Sequence, residues 1–296
     1  MNSGSLAVSG GAQEASSLQE SVAGVFSAAA IHTATIGQEN TAASEASAAN
    51  LSVNTGGAFF AGGLITVDFV MARATASCSG IGATAVGESE IDGLIIDGQS
   101  VPVSGAANQV VFVDGNIVII NEQAVSQTGG SADITVNALH IMTSTGVNLI
   151  FGSASAGITC GVESGSTPPC NDFVTGGGWI TGTPIGAKAN FGVAGSIKGG
   201  AFWGHLNYID HGNGMHVKAI AVTGYAPDPD DDNCRIIDYD VTIDGQPGTA
   251  RVRVCDNGEP GHNDIFEIQL SNGYFAGGDL GGSQPGGGNI QLHKCQ

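Results

Sequence analysis

The chain is predicted to be all-β, with two antiparallel β-sandwich or barrel-like domains in tandem, on three observations. Gly supplies 48 of 296 residues, while aromatic residues make up only 6% and charged residues only 12%. That composition suits short strands joined by tight turns better than long helices. Apolar runs are interrupted by Asp-Gly pairs at 97–98, 114–115 and 244–245, the residues that close two-residue hairpins. The length fits two cores, each half being long enough to bury about two-thirds of its unfolded surface.

The elements follow in order. Over residues 14–31, Leu18, Val22, Val25, Phe26 and Ala29 fall on a helical stripe, although the Ser/Ala-rich surroundings suit an extended segment equally. ITVDFVMARATASC alternates Ile65, Val67, Phe69 and Met71 with smaller or more polar neighbours, the period of a half-buried strand. LIIDGQSV and VFVDGNIVII read as hairpins, and ADITVNALHIM and VNLIFGSASAGI as further strands. GVESGSTPPCND, 161–172, reads as a stiff linker, so the domains are placed at 1–165 and 166–296. Nine strands are predicted beyond it: GGGWITG, ANFGVAGSI, AFWGHLNYI, HVKAIAVTGY, CRIIDYDVTI, ARVRVC, DIFEIQL, NGYFAGG and NIQLH.

One hairpin can be laid out residue by residue. In CRIIDYDVTIDGQPGTARVRVC a two-residue Asp244-Gly245 turn sets Ile243 opposite Gln246. Counting outward brings Cys234 opposite Cys255 and Asp238 opposite Arg251, and points Ile237, Tyr239, Val241, Val252 and Val254 to the other face. Pro247, which cannot donate to a ladder, requires a turn-adjacent or edge position.

The six cysteines include no CxxC pair and no Cys/His spacing of the zinc type. Disulfides Cys78–Cys160, Cys234–Cys255 and Cys170–Cys295 are expected, which places the mature protein in an oxidising, extracellular setting. The first 30 residues contain no Lys or Arg and no apolar signal core, so the chain is read as a mature or trimmed form. It has no 18-residue apolar run and no terminal sorting motif, so no membrane insertion is expected. The net charge of −19 argues against nucleic acid and anionic lipid as partners. The charge is unevenly spread: residues 1–165 hold 13 carboxylates and one base, Arg73, against 14 carboxylates and seven bases beyond.

VIINEQAVSQTGGSADITVNALHI, 118–141, resembles the choice-of-anchor P family of secreted bacterial proteins, and the similarity extends over most of residues 1–160. VTGGGWITG, AKANFGVAG, FWGHLNYIDHGNGMHV, DNGEPGHNDIFEIQLSNGY and GGGNIQLHK resemble the domain that commonly follows that module. The resemblance implies a secreted or cell-surface protein and brings no catalytic residues with it. The acidic loop PDPDDDN departs from the usual form of the second domain.

Two groups raise the question of a metal. A five-residue loop 210–214 would pair Ile209 with Met215 and put His205 and His216 on opposite faces of a hairpin, with His211 in the turn, so the three are not expected to share an ion. Asp228, Asp230 and Asp232 have the alternating spacing at which oxygens converge on calcium, but the EF-hand pattern fails at Asn233 and Tyr239. No other cofactor is expected. GxSxG, HExxH, P-loop and GxGxxG motifs are absent, and Glu88 and Glu90 share one solvated strand face. Trp179, Trp203 and Tyr208 are the candidate lining of a carbohydrate-type surface. The reading is therefore a non-enzymatic extracellular structural protein, with a ligand-binding module or an unrecognised hydrolase as alternatives. Its expected partners are copies of itself, joined by addition of the Ser/Ala/Gly-rich N-terminal tract to a sheet edge.

Overall fold

The computed structural model describes residues 1–6, 10–38, 40–54, 63–80, 82–113, 115–161, 171–259, 261–284 and 286–294. Among the described residues it is all-β apart from a 3-10 turn at Gly261–Asn263. The chain divides into two compact units, Met1–Pro168 apart from Ser16–Leu18, and Pro169–Gln296.

The first unit begins with β1 (Gly11–Val22), β2 (Phe26–Gln38), β3 (Thr41–Asn54), β4 (Leu64–Ser79), β5 (Gly82–Asp92), β6 (Ile95–Ile96) and β7 (Gln99–Ser100). They form one sheet in the order β1-β2-β3-β4-β6-β7, with β5 also paired to β4. A second sheet, in the order β11-β10-β9-β8, holds β8 (Gln109–Val113), β9 (Asn116–Thr128), β10 (Ser131–Met142) and β11 (Asn148–Thr159). The two sheets enclose a shared core that includes Leu51, Val53, Ile65, Ile120, Val136 and Leu139. Small residues let the sheets close: a Cβ on Gly87 would lie 2.3 Å from the Val136 side chain and 2.7 Å from that of Ile134.

Residues 14–31 are therefore not helical. They form parts of β1 and β2, joined by a turn in which the Val25 N–H donates to the Val22 carbonyl at 2.9 Å and Gly24 has φ +72°. The helical stripe was coincidental, because Ser and Ala carry little preference and the turn at Gly24 resets the phase of the pattern. Within one chain, the N-terminal tract thus adds to its own sheet.

The alternation in β4 also departs from expectation. Ile65 and Val67 face the shared core, but from Val70 onward Ala72, Ala74 and Ala76 do so, and Phe69 and Met71 are buried outside it. The same change of face occurs in β3 on either side of Asn50, which has φ 48°: Leu51 and Val53 point inward on one side and Ala48 on the other. Gly152, at φ +67°, does this in β11, between Phe151 and Ala154. One left-handed residue is enough to reverse the parity of a strand, in the manner of a bulge.

The second unit is one nine-stranded antiparallel sheet. Its strands are β12 (Phe173–Ile180), β13 (Ala189–Lys198), β14 (Ala201–Asp210), β15 (Met215–Asp228), β16 (Asp231–Ile243), β17 (Gln246–Cys255), β18 (Ile265–Leu270), β19 (Phe275–Asp279) and β20 (Gly288–His293). They meander in sequence from β12 to β19, and β20 returns beside β12. The sheet curls around Phe191, Leu206, Tyr208, Tyr239, Val252 and Phe266. β16 and β17 pair in the register read from sequence, with Cys234↔Cys255, Asp238↔Arg251 and Ile243↔Gln246. Pro247 is tolerated because it sits next to the turn, on the side of β17 where β18 begins to pair only at Ala250.

The far edge of β20 is held by side chains in place of a neighbouring strand. Asp264 accepts the Ile290 N–H at Oδ2 and the Asn257 N–H at Oδ1, both at 2.8 Å, and Asp256 Oδ2 accepts the Leu292 N–H at 2.9 Å. Asn289 Nδ2 donates to Glu259 at 2.7 Å. The segment DNGEPGHND thus supplies the acceptors that a tenth strand would have supplied.

Candidate functional site

The quoted motifs of the second unit converge at one end of its sheet. GGGWITG brings Trp179 on β12, and AKANFGVAG brings Lys188 and Asn190 at the start of β13. NYIDHGNG brings Tyr208 and Asp210 on β14 and His211 in the following turn, and SNGY brings Tyr274. Tyr274 OH donates to Asp210 Oδ2 at 2.8 Å, so its lone pairs accept the proton of Tyr208 OH at 2.7 Å. Asp210, almost wholly buried, also accepts the Gly212 N–H at Oδ1. Burial raises both phenols above the ordinary tyrosine range, reinforced for Tyr208 by its bond to Tyr274 and for Tyr274 by the Asp210 carboxylate.

His211 Nε2 lies 2.6 Å from Asn190 Oδ1. An amide oxygen only accepts, so Nε2 carries the ring proton. Burial, and then the positive charge of Lys188, lower the His211 pKa. The Lys188 ammonium stands 4.3 Å from the Trp179 ring centroid, a cation–π contact. Chemically the group offers neutral phenols, a buried carboxylate and a neutral imidazole. Tyr208, Tyr274 and Asp210 form one hydrogen-bonded set that ties β14 to the turn before β19, and His211 with Asn190 forms a second that ties the turn after β14 to β13.

The histidine hairpin differs from expectation by one residue. Asp210 pairs with Met215 and Ile209 with His216, leaving a four-residue turn. Asp210 Oδ1 accepts the Gly212 N–H, Asn213 Oδ1 accepts the Met215 N–H at 2.9 Å, and these caps select the shorter turn. His205 and His216 therefore share a face, contrary to the sequence reading. They stand four residues apart along it, on the order of 13 Å, which is too far to share an ion. Asp228 is likewise engaged elsewhere: its carboxylate meets Arg253 Nε at 2.5 Å and accepts the Asp230 N–H at 3.0 Å. Arg253 holds its pKa below the usual carboxylate range. Among the described residues no three His, Cys, Asp or Glu side chains are grouped to hold a metal, so Asp228, Asp230 and Asp232 are not brought together as a calcium site.

Cys78 is bonded to Cys160 and Cys234 to Cys255. The pairing of Cys170 with Cys295 lies outside the described residues. Tyr208 is in the core while Trp179 is on the opposite face of the sheet, so with Trp203 they do not form one aromatic platform.

Sequence reasoning missed a buried ionic cluster in the first unit. Glu45 receives Arg73 through Nη2 at 2.8 Å and Nε at 3.1 Å, and His32 Nε2 lies 2.7 Å from its other oxygen. Arg73 Nη1 reaches Glu88 at 2.9 Å, so Glu88 is more than a solvated carboxylate. Burial lowers the His32 pKa despite the Glu45 charge. The signal was present: the one base among 13 carboxylates had to be assigned a partner, and Arg73 lies directly opposite both Glu45 and Glu88 in the sheet register.

No protein-family model matches the chain, and no curated protein matches it. Among solved structures, kievitone hydratase from Nectria haematococca is similar over 87% of this chain and 85% of that chain, at 8% identity and a TM-score of 0.21. A similarity that low carries no argument about fold or function.

Proposed function

We propose that the protein is an exported, non-enzymatic structural protein of the extracellular space or cell surface, which associates with copies of itself. The observation that carries this reading is the mutual engagement of the motif side chains. Tyr208, Tyr274 and Asp210 form one hydrogen-bonded chain and His211 binds Asn190, so the most distinctive residues of the second unit act as a brace. Two disulfides suit an oxidising compartment, and among the described residues no helix is long and apolar enough to cross a membrane. The resemblance to the choice-of-anchor P family supports the same location.

Negative-stain electron microscopy of purified, oxidised full-length protein over a concentration series tests the reading. Ordered dimers or larger assemblies that grow with concentration are expected. Particles of single-chain size at every concentration would overturn self-association.

A further inference from the structure

Asn-Gly occurs at 213–214, 257–258 and 272–273, and all three pairs are exposed. An Asn followed by Gly is open to attack by its own main chain, because a residue without a Cβ leaves the approach clear. The glycine nitrogen loses its proton and adds to the Asn Cγ, ammonia leaves, and a five-membered succinimide closes. Water then reopens the ring. Breakage of the bond between that nitrogen and Cγ leaves Asp. Breakage of its bond to the Asn main-chain carbonyl carbon leaves isoaspartate, with the chain routed through the former side chain. By sequence the three pairs are equivalent, but their hydrogen bonds separate them.

Attack on Cγ turns Oδ1 into an oxyanion, so an N–H already aimed at that oxygen lowers the barrier. Asn213 Oδ1 accepts the Met215 N–H at 2.9 Å, and Asn272 Oδ1 accepts the Tyr274 N–H at 3.0 Å. Both are Asx turns, in which the residue two along supplies the donor. Asn257 is held the other way. Its Nδ2, the leaving group, donates to the Asn263 carbonyl at 2.7 Å, and no N–H among the described residues is bonded to its Oδ1. The attacking nitrogens differ as well. Gly214 and Gly273 donate to neutral main-chain carbonyls, those of Asp210 at 2.8 Å and Leu270 at 3.0 Å. Gly258 donates to the Asp256 carboxyl at 3.1 Å, so the anionic nitrogen that attack requires would face a like charge.

We infer that Asn213 and Asn272 are sites of spontaneous deamidation in the folded protein, and that Asn257 is protected. Both reactive positions adjoin the hydrogen-bonded set of the second unit, Asn213 in the turn that follows Asp210 and Asn272 in the turn that leads into Tyr274. Isoaspartate at either position moves the capping oxygen into the main chain and lengthens the turn by one backbone carbon. At 213 the lost cap is one of the two that fix the four-residue turn between β14 and β15. At 272 it is the one that holds the Tyr274 amide. Either product also adds a negative charge to a chain whose net charge is already −19. The reaction therefore loosens the brace with time, at Asp210 and at Tyr274, without any enzyme.

Full-length oxidised protein, kept for weeks in mildly alkaline buffer beside a portion reduced and unfolded in guanidinium, tests the assignment. Peptide mapping with electron-transfer fragmentation reads at each Asn the gain of about 1 Da and tells isoaspartate from Asp. In the unfolded chain the three sites should react at similar rates. In the folded protein Asn213 and Asn272 should outpace Asn257 by roughly tenfold or more, the order of effect of a single oxyanion donor. Folded protein in which Asn257 keeps pace with the other two, or in which none of the three reacts, would overturn the proposal. The isoaspartate fraction, separated by anion exchange, should unfold at lower urea than the unmodified fraction. Equal midpoints would overturn the loosening of the brace.

Discussion

Replacing Cys78 and Cys160 together by serine is expected to cost about 4–5 kcal/mol, the figure the loop-entropy relation gives for their separation of 82 residues. Cys78 lies on β4 opposite Ala83 of β5, and Cys160 follows β11 and donates its N–H to the Gly130 carbonyl at 2.8 Å. The bond therefore ties the seven-stranded sheet to the four-stranded one, whose strands must otherwise find each other across long stretches of chain. The same relation gives about 3 kcal/mol for Cys234–Cys255, separated by 21 residues. The measured loss there should be smaller, because the Asp244-Gly245 turn already brings those strands together. Guanidinium unfolding of both double variants checks the order. A first-unit loss below that of the hairpin pair would contradict it.

Asp264→Ala is expected to destabilise the second unit by about 3 kcal/mol at pH 5, because it leaves the buried Ile290 amide and the part-buried Asn257 amide without acceptors. Burial raises the Asp264 pKa to about 7, against the opposing pull of those two N–H bonds. The folded carboxyl thus holds its proton more tightly than the unfolded one, whose pKa is about 4. The stability contributed by the proton is fully present below pH 4 and is lost as pH rises to 7, an effect of up to about 4 kcal/mol. The deficit of the alanine variant should therefore shrink between pH 5 and pH 8, as the wild type itself weakens. Urea unfolding at both pH values measures this, and a deficit that does not change with pH would refute the assignment.

The legible parts of the fold were those where two independent constraints coincided. The 234–255 hairpin was readable because a two-residue turn and a facing cysteine pair demand the same register, and Asp238 opposite Arg251 agrees with both. All nine strands of the second unit were visible because turn residues separate them. The register at His205–His216 was not visible, since Asp210 and Asn213 set the turn length through side-chain caps that periodicity does not report. Asn50 and Gly152 were equally silent. A single left-handed residue shifts the inward parity of β3 and β11 without altering composition, and the period of two read through Phe69 and Met71 likewise does not report the change of face in β4. At the candidate site, the segments that converge were legible as motifs, but their joint role was not. Tyr208 and Tyr274 meet across 66 residues of sequence, and only the curl of the sheet brings them together.

Unfolding free energies of Tyr274→Phe and Asp210→Ala, set beside the wild type in urea at pH 7, test most directly whether the motif residues build the protein or serve a reaction. A brace predicts losses of about 1 kcal/mol for Tyr274→Phe, which leaves the buried Asp210 carboxylate without the phenol proton, and about 2 kcal/mol for Asp210→Ala, which leaves the part-buried Tyr274 hydroxyl and the Gly212 amide without their acceptor. Groups held together for catalysis are commonly kept at a cost to stability, and their removal is neutral or stabilising. Variants as stable as the wild type, or more so, would contradict a structural role for the Tyr208–Tyr274–Asp210 chain and return the second unit to the enzymes.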